Sequence, residues 1–315
     1  MQKMSRPAVL PGIDVSVIPE ATSAKVQNNG NVVASITLIK ISKNQGYLVI
    51  NYLDENLNNK LVTLKDPSTP LEIGGSNTFE LGEVVKNPID KRSLRIYIQV
   101  HHHHPEQYLA QHLVNQLEEA VLGSFNLELK KNVTIDLYDS DADSVLRDYA
   151  GFIVSEKFLM EEVTFDSGKT KSILRNNVQG INVQTTTESD LDSIIDFDDT
   201  LSNFCRSDFI KYLFKENKMF HIKDSEGIQG YIVGKGEQIY GIYAKTPLFG
   251  EALLAKYISM VPCRNVIVKS TVNTWNGLSN AILKKRKIHR MHTRSCPSHI
   301  KWNKIFGINI GMNIF

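Results

Sequence analysis

Residues 228–260, IQGYIVGKGEQIYGIYAKTPLFGEALLAKYISM, constrain this chain more than any other stretch, because they read as strand, tight turn, strand, proline and helix in direct succession. Residues 229–233 and 238–244 are aromatic and β-branched runs, and Gly234-Lys235-Gly236-Glu237 between them supplies the glycines that a hairpin turn with positive φ requires. Pro247 then opens a helix. Phe249, Leu253, Tyr257 and Met260 recur at helical spacing beside Leu254 and Ile258, so one face packs on a sheet. A helix leaving the end of a strand presents unpaired N–H groups and the positive end of its dipole, which is a place to hold an anion such as a phosphate.

An upstream stretch repeats the plan. Residues 94–100 read as a strand, 101–107 as a loop containing Pro105, and 108–122 as a helix whose buried row is Leu109, Leu113, Leu117 and Val121. A strand over 132–138, a helical run over 142–149, Gly151-Phe152 and a strand through Val163 follow. After the second helix come a strand over 265–272, a helical run over 278–286, and strands near 290–294 and 306–315. Strands also read over 31–42, over 46–64 with a loop at 56–59, and over 79–86, and the second half opens with a strand over 181–185, the cap-like Thr187-Glu188-Ser189-Asp190 and two helices. This is an internal duplication of structure with little shared residue identity.

A chain of 315 residues is long enough for about two domains, each with its own core. Residues 165–179 are polar, contain a Gly-Lys pair and lack apolar periodicity, so the expected domains are 1–170 and 181–315, joined by a linker over 171–180. No apolar run approaches the roughly 20 residues of a spanning helix, and residues 1–12 lack the apolar core of a secretory signal, so no membrane partner is expected. The three cysteines, Cys205, Cys263 and Cys296, are far apart and form no C-x-x-C pair, which fits a reducing, cytoplasmic compartment without disulfides or structural zinc. A net charge of only +2 makes no demand for nucleic acid.

The element order of the second half, together with Phe197-Asp198, Arg206-Ser207, Gly230-Tyr231, Ile239-Tyr240-Gly241-Ile242-Tyr243-Ala244 and Arg290-Met291 leading to Trp302, resembles the C-terminal GNAT-like domain of YitH-type acetyltransferases. The first half resembles a GNAT domain through residues 133–152, a strand followed by a helix ending in Gly-Phe. The resemblance implies an α+β fold of two tandem GNAT-like domains, each a mixed, mostly antiparallel twisted sheet flanked by helices. It further implies an N-acyltransferase that moves an acyl group from acetyl-CoA or another acyl-CoA to a small amine, with no metal. In that family coenzyme A lies like an extra strand in the gap between two splayed strands, and backbone N–H groups at the helix start hold its pyrophosphate.

The family's phosphate loop has the form Arg or Gln, two residues, Gly, one residue, Gly or Ala, and the nearest match is Gln107-Tyr108-Leu109-Ala110-Gln111-His112. The expected coenzyme A site is therefore in the first repeat, at Val100, His101, His102, Gln107, Tyr108, Leu109 and Ala110, where four imidazoles precede a long helix. In the second repeat Pro247 removes one N–H, and Leu248 and Phe249 crowd the approach. Asp198, Tyr240 and Tyr243 are the polar residues expected to line an acceptor cleft. No catalytic residue is assigned: Arg147 stands where the family's helix tyrosine is usual. That substitution and the altered loop support a second reading, a GNAT-like binding or scaffold protein without catalysis.

Three further features have competing readings. The run from His101 to His104 suits phosphate donation, a metal shared by His101 and His103, or a solvated polar loop. Lys284-Lys285-Arg286-Lys287 reads as a nuclear-import or nucleic-acid patch, or as a solvated helix C-terminus stabilised by its dipole; no aromatics interleave it. Gly234-x-Gly236 lies inside a hairpin and so is no dinucleotide fingerprint.

Overall fold

The computed structural model describes residues 18, 20–54, 56, 57, 60–65, 70–85, 107–123, 130–138 and 144–309. The chain divides into two compact units, Met1–Ser155 with Met291–Ser295, and Glu156–Arg290 with Cys296–Phe315. Each carries a mixed, mostly antiparallel sheet with helices, the α+β class expected from the sequence.

Unit 1 contains β1 (Ala21–Asn28), β2 (Asn31–Ser42), β3 (Gln45–Leu53), β4 (Leu61–Lys65), β5 (Ser76–Val85), β6 (Gln107–Tyr108), α1 (Leu109–Leu122), β7 (Asn132–Tyr138), α2 (Ser144–Asp148) and β8 (Val154–Ser155). The strand order is β6-β4-β5-β1-β2-β3-β7, with β1/β5 and β3/β7 parallel. Leu109, Leu113, Leu117 and Val121, the row read from the sequence, are all buried in one cluster with Val26, Ile36 and Leu38. Each such side chain contributes about 1.5–3 kcal/mol by leaving water, which is what holds α1 on β1 and β2.

Unit 2 contains β9 (Met160–Asp166), α3 (Ser167–Asn177), β10 (Val183–Thr185), α4 (Leu191–Asp199), α5 (Ser207–Glu216), β11 (Lys218–Asp224), β12 (Gly227–Lys235), β13 (Gln238–Ala244), α6 (Pro247–Met260), β14 (Asn265–Thr271), β15 (Ile282–His292, through Arg290 in this unit) and β16 (Ile305–Gly307). Its order is β10-β11-β12-β13-β14-β9-β15, with β16 also on β13. The β12/β13 hairpin and α6 form as read. Gly236 takes φ +56°, as the turn requires. Gly234 serves a different need, since a Cβ there would lie 2.7 Å from the Tyr257 hydroxyl. Thr246 accepts from the Phe249 N–H and Pro247 sits in the first turn of α6. Leu253 and Tyr257 are buried, whereas Met260, expected on the same face, is half exposed.

Two expectations are corrected. Residues 171–180 are not an open linker: most of them belong to α3, where Asp166 caps the Lys169 N–H at 2.9 Å and Thr170 and Leu174 turn one buried face inward. Among its described residues the buried positions are Ser167, Thr170 and Leu174, of which Leu174 alone is apolar, so that helix leaves almost no apolar period to read. The helix expected over 278–286 is a short 3-10 turn, Asn276–Ala281, followed by β15. Its basic run pairs in antiparallel register with β9, Lys287 opposite Glu161 and Arg286 opposite Glu162, and Lys285 meets Glu161 at 2.9 Å. Cross-strand charge pairing therefore outweighs the helical propensity of lysine and arginine. The final strand is described for Ile305–Gly307 alone. The strand expected over 94–100 and His101 to His104 lie outside the described residues. No helix among the described residues is long and apolar enough to cross a membrane.

Candidate functional site

The residues that carry the family resemblance converge in unit 2. Asp198 comes from the last turn of α4, Arg206 from the residue before α5, and Tyr231 and Tyr243 from opposed positions of β12 and β13. Asp198 accepts from Arg206 at two points, Nε to Oδ2 at 2.9 Å and Nη2 to Oδ1 at 2.5 Å. The Tyr231 hydroxyl donates to Asp198 Oδ1 at 2.5 Å. The guanidinium lies over the Tyr243 ring at 5.0 Å, and Asn309 Nδ2 donates to the Tyr243 hydroxyl at 2.6 Å.

All five residues are buried. Burial alone would lower the Arg206 pKa, but the Asp198 carboxylate and then the two phenols hold it well above the ordinary arginine value. Burial also raises Tyr231, with the Asp198 charge adding to the effect, and pushes Tyr243 up to about 12. Both phenols therefore stay protonated at neutral pH. The network is a closed clamp joining α4, α5 and the hairpin. Asp198 and Tyr243, expected in an acceptor cleft, are at its centre, and Tyr240 is buried near Tyr212, which adds to the rise that burial gives its phenol.

The second element is the gap beyond the clamp. The parallel pair β13/β14 is joined only at one end, where Gln238 opposes Ile267 and the Ile267 N–H donates to the Glu237 carbonyl at 2.7 Å. Farther along, the chain's own residues from Ile305 to Asn309 stand between the two strands. Gly307 opposes Ile242 and Ile305 opposes Tyr243 on the β13 side, and the Ile308 N–H donates to the Lys269 carbonyl of β14 at 2.7 Å. Phe306 lies against the start of α6, so close that a Cβ on Gly250 would be 2.9 Å from its ring. A Cβ on Gly307 would be 2.9 Å from the Ile242 nitrogen. These five residues are all buried, and they satisfy backbone groups that a splayed strand leaves open. The sequence alternation over 306–315 marks a strand but not its place, and Gly307 is its one trace of a tight approach.

In unit 1, Gln107 and Tyr108 form β6 and pair with Val62 and Leu61 of β4. Tyr108, Leu109 and Ala110 are buried, and Tyr108 packs on Tyr149 at 4.6 Å between ring centroids. The His112 ring meets the Val62 carbonyl at 3.0 Å. The start of α1 is thereby fixed at β4, which neighbours β5 of the parallel pair β1/β5, while the other parallel pair, β3/β7, lies beyond β1 and β2. Val100, His101 and His102 lie outside the described residues.

A cleft of about 550 Å³ opens beside the clamp, lined by Phe197, Thr200, Glu226, Ile228 and three lysines, Lys245, Lys301 and Lys304, among others. Lys245 is far in sequence from Lys301 and Lys304, and no spacing rule joins the three.

A family model described as a domain of unknown function, DUF7596, matches residues 8–154, ending beside Ser155, where the first segment of unit 1 ends. No curated protein matches the sequence. Among solved structures, a Pyrococcus horikoshii protein described as a candidate acetyltransferase matches at 9% identity and a TM-score of 0.52, over 89% of this chain and 76% of its own. A conserved Staphylococcus epidermidis protein of unknown function matches at 11% identity and a TM-score of 0.43, over 75% and 92%. A tandem GNAT protein from the clavulanic acid biosynthesis pathway matches at 11% identity and a TM-score of 0.42, over 92% and 91%. The first likeness is one of fold. With the order of unit 2, strand, two helices, three strands, helix, strand and a splayed parallel pair, it gives a GNAT-like fold.

Proposed function

We propose that this chain is a GNAT-fold binding protein rather than an acyltransferase. The observation that carries this is the filling of the β13/β14 gap by Ile305 to Asn309, which uses the Ile242, Tyr243 and Lys269 backbone groups that an extended acyl-pantetheine arm would use. An arm entering there would have to displace five buried residues and the Asn309 to Tyr243 hydrogen bond. The buried apolar side chains alone make that displacement cost several kcal/mol.

The second reading is a coenzyme A-dependent N-acyltransferase acting on a small amine, favoured by the splay of β13 from β14 and by the fold likeness. It requires Ile305 to Asn309 to leave the gap. Calorimetric titration of the full chain with S-acetylpantetheine, the phosphate-free end of acetyl-CoA, separates the two readings. The binding-protein reading expects no saturable heat, and no acetyl-CoA turnover with a panel of small amines; saturable binding and turnover would establish the second.

A further inference from the structure

The cleft beside the clamp concentrates positive charge. Lys245 follows the last residue of β13 and Lys304 precedes the first of β16, and since Tyr243 opposes Ile305 in antiparallel register, both leave the same end of that ladder. Lys301 is brought to them by its N–H, which donates to the Leu201 carbonyl at 2.8 Å just beyond α4. The three line one cavity of about 550 Å³, with Phe197 and Ile228 as its apolar wall.

Little of this charge is neutralised. Lys245 lies 3.7 Å from Glu226, whose side chain is 78% exposed, a pair of small worth in water. Asp196 also lines the cleft, but among the described residues neither Lys301 nor Lys304 has a carboxylate within ion-pair distance. Burial, and then the charges of Lys301 and Lys245, lower the pKa of Lys304. Like charges held this way gain most from a compact dianion, and lysine is the point-charge partner of phosphate.

We propose that the cleft formed by Lys245, Lys301 and Lys304 binds an organic phosphate monoester, the phosphate on the lysines and the organic part against Phe197 and Ile228. This deepens the binding-protein reading by giving it a ligand class. A carboxylate on the same organic group brings one charge where the phosphate brings nearly two at neutral pH, so the site discriminates by charge.

The test is calorimetric titration of the full chain with phenyl phosphate, and with benzoate as the singly charged counterpart. The parent is expected to bind phenyl phosphate saturably and benzoate at least about tenfold more weakly, and K301Q/K304Q is expected to lose about tenfold or more in phenyl phosphate affinity. Lys301→Gln alone, at an exposed position, keeps the fold intact and is expected to weaken binding several-fold. No binding by the parent, equal affinity for benzoate, or parent-level affinity in both variants would overturn the assignment. S-acetylpantetheine has no phosphate, so its binding would sink the binding-protein reading while leaving the cleft to be judged by phenyl phosphate.

Discussion

The Asp198 carboxylate and the Arg206 guanidinium face each other through two hydrogen bonds with 0% and 1% of their side chains exposed. Removing one partner leaves a buried charge with no compensation, whereas removing both leaves an apolar gap. Asp198→Ala is therefore expected to destabilise unit 2 by about 3–5 kcal/mol, and the D198L/R206M double substitution by clearly less. Urea denaturation of the three proteins checks this. Equal losses in the single and double variants would mean the pair is not the source of the stability.

Gly307 has no room for a side chain, because a Cβ would meet the Ile242 nitrogen at 2.9 Å. Gly307→Val is expected to force β16 off β13 and to cost about 1–3 kcal/mol through overpacking. Thermal denaturation should show a lowered Tm, and amide exchange at Ile308 should rise. A variant with parental Tm and exchange would place this segment elsewhere.

Glu118 sits on the buried face of α1, 2% exposed, and its Oε1 has no hydrogen-bond partner among the described residues. Burial raises its pKa to about 8, against a partial opposing effect of Arg294. The folded value thus lies above the unfolded one, so the contribution to stability is complete below about pH 4.5 and is lost as pH rises to about 8. Glu118→Gln is expected to remove this slope and to gain stability relative to the parent at pH 8, by on the order of a few kcal/mol. Parallel stability curves for the two proteins between pH 5 and 8 would contradict it.

Limited trypsin digestion should cut first after Lys157. This residue lies in the exposed stretch with Ile153, Phe158 and Leu159, at the boundary between the units. Lys169 and Lys171 are held in α3 by the Asp166 cap and the buried Leu174. Early cleavage within α3 would restore the expectation of an open connection over 171–180.

What was legible in the sequence is what local periodicity encodes. The row from Leu109 to Val121, the hairpin turn at Gly236 and the start of α6 at Pro247 each follow from spacing or residue type within one element. Family likeness marked Phe197-Asp198 and Arg206 as residues of note, although neither the pairing of Asp198 with Arg206 nor the burial that makes it a clamp was legible. Long-range partners decided the rest. Lys284 to Lys287 form a strand because Glu161 and Glu162 stand across from them, and α3 is a helix whose few buried positions leave no stripe. Likewise, nothing local in Ile305 to Asn309 says that the partner on one side is β13 and on the other Lys269 of β14.

Amide hydrogen exchange at Ile308, followed with and without saturating S-acetylpantetheine, tests most directly whether the chain fills its own gap. The Ile308 N–H is bound to the Lys269 carbonyl at 2.7 Å in a segment that is almost wholly buried. Strong protection that S-acetylpantetheine leaves unchanged is the expected result. Loss of that protection on adding S-acetylpantetheine, with new protection appearing in β13, would contradict the account and restore the gap to an acyl donor.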